Sequence, residues 1–322
     1  KPVSSLPSIL KMNPYFRPVV WGGIRLSTEF GKPLPENLMI GESFEVSAVP
    51  GMESVVASGP LAGRNIRDLT AEYGPDLLGE EVHRRYAGEF PLLIKLLDAN
   101  DDLSIQVHPD DAYARENRLG NFGKMEAWVV LRSENGRVAS GLREGVDRLA
   151  LTSAIEAGKV EDVVEFHPVS EGDIVYLRPG SVHALCRGVM VYEVQQSSSI
   201  TFRLYDYNRP DSDGKLRELH IDQSLDVINF GDPAVIPAPV DGAIAVASEH
   251  FNLEQYGSES TRHHDARESF SCLTVISGGV GIRSGDESMS LGLADTVVIP
   301  AGRAFEVSPS GGAKYLVSSV PT

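Results

Sequence analysis

Two stretches of this chain read as one unit written twice. "GDIVYLRPGSVHAL" (172–185) and "ADTVVIPAGRAFEV" (294–307) align at a constant offset of 122. Val175 meets Val297, Leu177 meets Ile299, Asp173 meets Asp295 and Gly180 meets Gly302. Each copy reads as a strand, a tight glycine turn and a second strand. The copies part at one position, where the first has His183 and the second Phe305. A unit with a ligand-type side chain beside one without predicts a duplicated β-barrel with a single active half.

The surroundings agree with a mainly β fold. Short alternating segments broken by Gly and Pro, such as "ESFEVSAVPG", dominate the chain. Helical spacing is confined to insertions at about 65–89 and 147–165, the latter read as two short helices around Gly158, and to "LHIDQSLDVINF". The Pro-rich connector "GDPAVIPAPVDG" separates residues 1–240, expected to carry the site, from 241–322, a smaller strand-like unit without metal.

Bulk chemistry narrows the function. A net charge of −16 excludes a nucleic-acid binder, which needs a basic stripe. Any phosphate must therefore be held by a local cluster of Lys and Arg. No apolar run reaches the roughly 18 residues that a membrane span requires. The opening "KPVSSLPSILKMNPYF" has no signal-peptide pattern. Cys186 and Cys272 are far apart and are expected as buried, unpaired thiols, which suits the cytoplasm.

The chemistry gathers in the first unit. In "LSIQVHPDD", Gln106 and His108 are two apart and share a strand face, while Leu103, Ile105 and Val107 are expected to pack on the other. Glu126 follows Lys124 by two in "GKMEAW", and His183 follows the Gly180 turn. Gln, two His and Glu form an N/O donor set suited to zinc or another borderline divalent ion, with positions left for substrate. Lys95 is a lone charge in "LLIKLL", and on a buried strand it demands a partner. Arg203 and Glu193 add a cation and a carboxylate nearby in sequence. His263 and His264 are adjacent, would face opposite ways on a strand, and are read as a solvent-exposed loop without metal.

"PLLIKLLDANDDLSIQVHPDD", "GKMEAW", "RPGSVHAL" and "YEVQQSSSITFRLYDYNR" strongly resemble the type I mannose-6-phosphate isomerases in their short bacterial form, as does "WGGIRL" at 21–26. The resemblance spans nearly the whole chain. It implies a cupin fold of two jelly-roll β-barrel units with a helical insertion. It also implies one zinc ion held by Gln106, His108, Glu126 and His183, with Arg203 in the active-site role. The reaction implied is mannose 6-phosphate to fructose 6-phosphate through a cis-enediol. Glu193, Lys124 and a zinc-bound hydroxide all stay open as the base. Lys95 and Ser104 are expected to contact phosphate or sugar. Where the family tends to have Asp and Trp, this chain has Ser199 and Tyr207, so a paralogue acting on another phosphosugar or on a free sugar is a rival reading. So is a sugar-binding cupin without turnover. Monomer and dimer are equally open.

Overall fold

A computed structural model describes residues 5–257 and 260–322. Residues 1–4, on which part of the reading of the opening segment falls, lie outside the described residues. Among the described residues the fold is mainly β, in three sheets of six, five and nine strands.

The six-stranded sheet carries Leu92–Asp98 between Ile40–Val46 and Val189–Gln196, and Glu126–Ser133 beyond the latter. All seven residues of Leu92–Asp98 are buried because both faces of the strand are covered. On one face Ile94 and Leu96 join Ala127, Val129, Tyr192 and Val194. That core also takes Leu69, Leu78 and Val82 from the helical insertion and Cys272 and Leu316 from the nine-stranded sheet. On the other face Leu97, Trp128, Val130 and Val191 pack with Val138 and Leu185 of the five-stranded sheet. The polar side chains of interest lie between these two sheets.

The five-stranded sheet runs Phe202–Tyr205, Ile105–Val107, His183–Leu185, Arg137–Leu142, Val164–Pro168. Ile105, Val107, Ala184, Phe202 and Leu204 point outward to meet Leu151 and Leu225 of two covering helices. Leu103 departs from the expected alternation. It precedes the strand and packs in the core between the sheets.

The insertions fall near their expected places. Ile66–Tyr73 is capped by Asn65, whose side chain accepts from the Asp68 amide, and is followed by Pro75–Leu78 and Glu80–Arg85. The second insertion needs correction. Arg148–Glu156 is a helix capped by Asp147, but a single 3-10 turn, Val160–Val163, follows Gly158, and the chain is already strand from Val164. β-Branched Val163 and Val164 suit that switch.

Both repeated stretches fold as strand, left-handed glycine, strand, with Gly180 at φ 86° and Gly302 at φ 72°. The nine-stranded sheet also recruits Leu10–Asn13 from the start of the chain, paired with Thr296–Ile299. The histidine pair is corrected as well. Arg262–His264 is a strand paired with Phe305–Ser319, so adjacent side chains alternate. His263 is exposed, whereas His264 is buried, stacked on Phe305 at 4.5 Å with its Nε2 2.9 Å from the Tyr315 hydroxyl. Cys186 and Cys272 are free and buried. Among the described residues no helix is long and apolar enough to cross a membrane.

Candidate functional site

Strand register builds the site. Across the five-stranded sheet Arg203 lies opposite Gln106, Gln106 opposite His183 and His183 opposite Ser140, a single row on one face. Across the six-stranded sheet Phe44 lies opposite Lys95, Lys95 opposite Glu193 and Glu193 opposite Trp128. Glu126, two before Trp128, shares that face. One row thus supplies nitrogen and amide donors, and the other supplies carboxylates and cations.

His108, Glu126 and His183 converge, and their ligand atoms all lie within 4.8 Å of one another. His183 Nε2 is 3.0 Å from Glu126 Oε1 and 3.2 Å from His108 Nε2. Gln106 Nε2 is 3.5 Å from His183 Nε2. His183 Nδ1 donates to the Ser181 carbonyl at 2.9 Å, which fixes the tautomer that turns the Nε2 lone pair inward. Burial, aided by the Lys124 ammonium, pushes His108 down to about 3, so its ring is neutral. Burial alone would raise Glu126, but Lys124 and the two imidazoles outweigh it and hold the carboxyl well below its usual range. Among the described residues neither Glu126 oxygen accepts a hydrogen bond, although both are buried. Such orphaned oxygens facing imidazole nitrogens fit a divalent cation, and the donor set suits zinc.

Lys95 finds the partners its position demands. Its ammonium is 3.1 Å from Glu42 and 3.3 Å from Glu193, and it lies 4.8 Å over the Phe44 ring. Burial would lower Lys95, but the two carboxylates outweigh it and raise it. Glu42 is held low against its own burial by Lys95 and Arg17. Glu193 shifts the other way, raised by burial and by the charge of Glu126. The Trp128 indole donates to Glu193 Oε2 at 2.7 Å, while Oε1 makes no hydrogen bond. Lys124 stands 3.3 Å from Glu126, and the Ser104 hydroxyl is 3.4 Å from Gln106 Oε1.

Lys95, Glu42, Glu193, Lys124, Ser104 and Gln106 line a shared cavity beside the His108–Glu126–His183 cluster. Its walls carry five cationic side chains, Arg17, Lys95, Lys124, Arg203 and Arg217, against two carboxylates, Glu42 and Glu193. A positive cavity in a chain of net charge −16 is the local cluster that binding a phosphate requires. Ser104, Gln106, Trp21, Trp128 and Ser199 complete much of the lining. Sequence reasoning missed Glu42, Trp128, Arg17 and Arg217. Glu42 was within reach, since it alternates with Phe44 on a buried strand and Lys95 needed a carboxylate. Nothing in the local pattern around Arg217 marks it.

Residues 9–123 match the family model "Phosphomannose isomerase type I, catalytic domain". The chain is 36% identical to the mannose-6-phosphate isomerase of Streptococcus mutans over 87% of this chain and 89% of that one. It is 31% identical to mannose-6-phosphate isomerase ManA of Bacillus subtilis over 96% and 98%. The crystal structure of a Bacillus subtilis mannose 6-phosphate isomerase superposes with a TM-score of 0.83 at 30% identity, covering 97% of this chain and 99% of that one. The Salmonella typhimurium enzyme in its apo form superposes with a TM-score of 0.76 at 16% identity over 98% and 100%, a likeness of fold.

Proposed function

The chain belongs to the type I mannose-6-phosphate isomerase family, and we propose that it interconverts mannose 6-phosphate and fructose 6-phosphate in the cavity between the two sheets. The observation that carries this reading is the positive cavity beside a convergent donor cluster, in a chain otherwise strongly acidic. Gln106, His108, Glu126 and His183 would hold a zinc ion, which would supply a Lewis acid for charge developing on the oxygens at C1 and C2.

The remaining work falls to side chains. Isomerisation moves a proton between C2 and C1 through a cis-enediol, so one group on one face of the sugar can take it and return it. Of the bases the sequence leaves open, Glu193 fits best. Trp128 fixes one of its oxygens, the other faces the cavity beside the Lys95 ammonium at 3.3 Å, and burial raises its pKa above that of an ordinary carboxylate. Lys124 is engaged by Glu126 and serves to hold that ligand. Arg203 remains cationic and faces the developing negative charge. Lys95 holds Glu42 and Glu193 in place and, with Ser104, meets sugar hydroxyls. In this reading residues 1–240 and 241–322 are two cupin-type jelly-roll units, the second without metal. The free thiols suit a cytoplasmic setting.

Removing metal with a chelator is expected to abolish turnover of mannose 6-phosphate, and added zinc to restore it. Metal-loaded protein that binds this sugar yet leaves it unchanged contradicts the assignment. Ser199, where the family tends to have Asp, lines the cavity and favours a second reading, a preference for another phosphosugar. Faster conversion of glucose 6-phosphate than of mannose 6-phosphate in the same assay would establish that alternative.

A further inference from the structure

We propose that Arg217, oriented by Asp206, is the residue by which this cavity distinguishes a phosphorylated sugar from a free one. This rests on the phosphosugar isomerase reading and names the group within it that reads the phosphate. Most cations around the cavity are committed elsewhere. Lys95 sits between Glu42 and Glu193, Lys124 on Glu126, and Arg17 on Glu42 at 2.8 Å. Among the described residues Arg203 makes no salt bridge, and Arg217 is paired with Asp206 along one edge only; both line the cavity, near enough that Arg217, after burial, lowers the Arg203 pKa. Two guanidiniums facing one space repel each other, and with Arg203 turned to the reacting oxygens a phosphate held by Arg217 relieves the repulsion.

The way Arg217 is held supports a recognition role. Its Nε and Nη2 both donate to Asp206, at 2.7 and 2.6 Å, which occupies one edge of the guanidinium and leaves Nη1 outside that fork. Asp206 is itself buried and also accepts from Arg209 at 2.9 Å. The chain between them leaves the sheet at Tyr207 and Asn208, both left-handed with φ of 58° and 50°, and closes a short hairpin through the Pro210–Leu216 bridge. The left-handed pair brings the chain back, so that Arg217 returns to Asp206. An arginine fixed in advance loses little freedom when a phosphate arrives.

The test compares Arg217→Met, Arg217→Lys and wild type on mannose 6-phosphate, with inorganic phosphate as competitive inhibitor and zinc content and thermal unfolding as controls. For Arg217→Met, KM for mannose 6-phosphate and Ki for phosphate are expected to rise about ten- to a hundredfold, with kcat changing far less. Arg217→Lys keeps the charge but loses the fork on Asp206, and is expected to fall between the two. Unchanged KM and Ki, or a loss confined to kcat, overturns the proposal. If Arg217→Met does not fold, Arg217→Lys decides it, since a Ki equal to that of wild type is again contrary. Wild type that fails to convert mannose 6-phosphate defeats the functional reading itself. Active wild type with unchanged phosphate affinity in the variants defeats this assignment alone.

Discussion

His183 and His264 are both buried on strands of similar hairpin-built units, yet their surroundings could hardly differ more. His183 faces Glu126, His108 and Gln106, with an ammonium and further charges beyond. His264 is stacked on Phe305, edge-on to Tyr256 and bonded to the Tyr315 hydroxyl. Burial lowers His264 to about 4, much as it lowers His108 to about 3. A depressed histidine therefore does not mark a site here. Convergence of a second imidazole and a carboxylate does, and Phe305 occupies the place where the second unit would need its own ligand.

The largest expected effect comes from the charges that frame the first region. Lys95→Met leaves Glu42 and Glu193 buried beside a methyl group, and should cost about 3–5 kcal/mol of stability, read from urea unfolding at neutral pH. The pH dependence of that loss follows from the shifts. Glu42 lies below its usual 4.5, so its contribution is present above that value and is lost as pH falls through the lower folded pKa. Lys95 lies above its usual 10.5, so its contribution is present below that value and is lost as pH rises through the higher one. The gap between wild type and variant should be flat between those limits and narrow at both ends. A gap that grows toward acid contradicts the network.

Replacing His183 with the residue of the second unit, His183→Phe, should lower turnover of mannose 6-phosphate on the order of 10²–10³-fold or more. The reverse exchange, Phe305→His, should place an unsatisfied ring in a packed core and cost about 1–3 kcal/mol of stability. Turnover by the molecules that remain folded should not change. A gain of bound zinc in Phe305→His would erase the contrast between the units.

Much of this was legible in sequence because strands encode their faces two residues at a time. Gln106 with His108, and Lys124 with Glu126, were readable as pairs, and the lone Lys95 announced a missing partner. The pairing across sheets was not readable. Register between Glu193 and Lys95, or between His183 and Gln106, depends on contacts far apart in the chain. Leu103 was misplaced because the strand begins only at Ile105. His264 was misread because a polar, charged stretch resembles a loop unless its partner strand is known. Arg217 escaped altogether, since only its fork on Asp206 carries it back to the cavity.

The contrast between the two histidines can be measured directly as zinc per chain, by mass spectrometry of wild type, His183→Phe and His264→Phe after equilibration with zinc and desalting. One zinc is expected in wild type, one in His264→Phe and essentially none in His183→Phe. Zinc retained in His183→Phe, or lost to the same extent from His264→Phe, would contradict this.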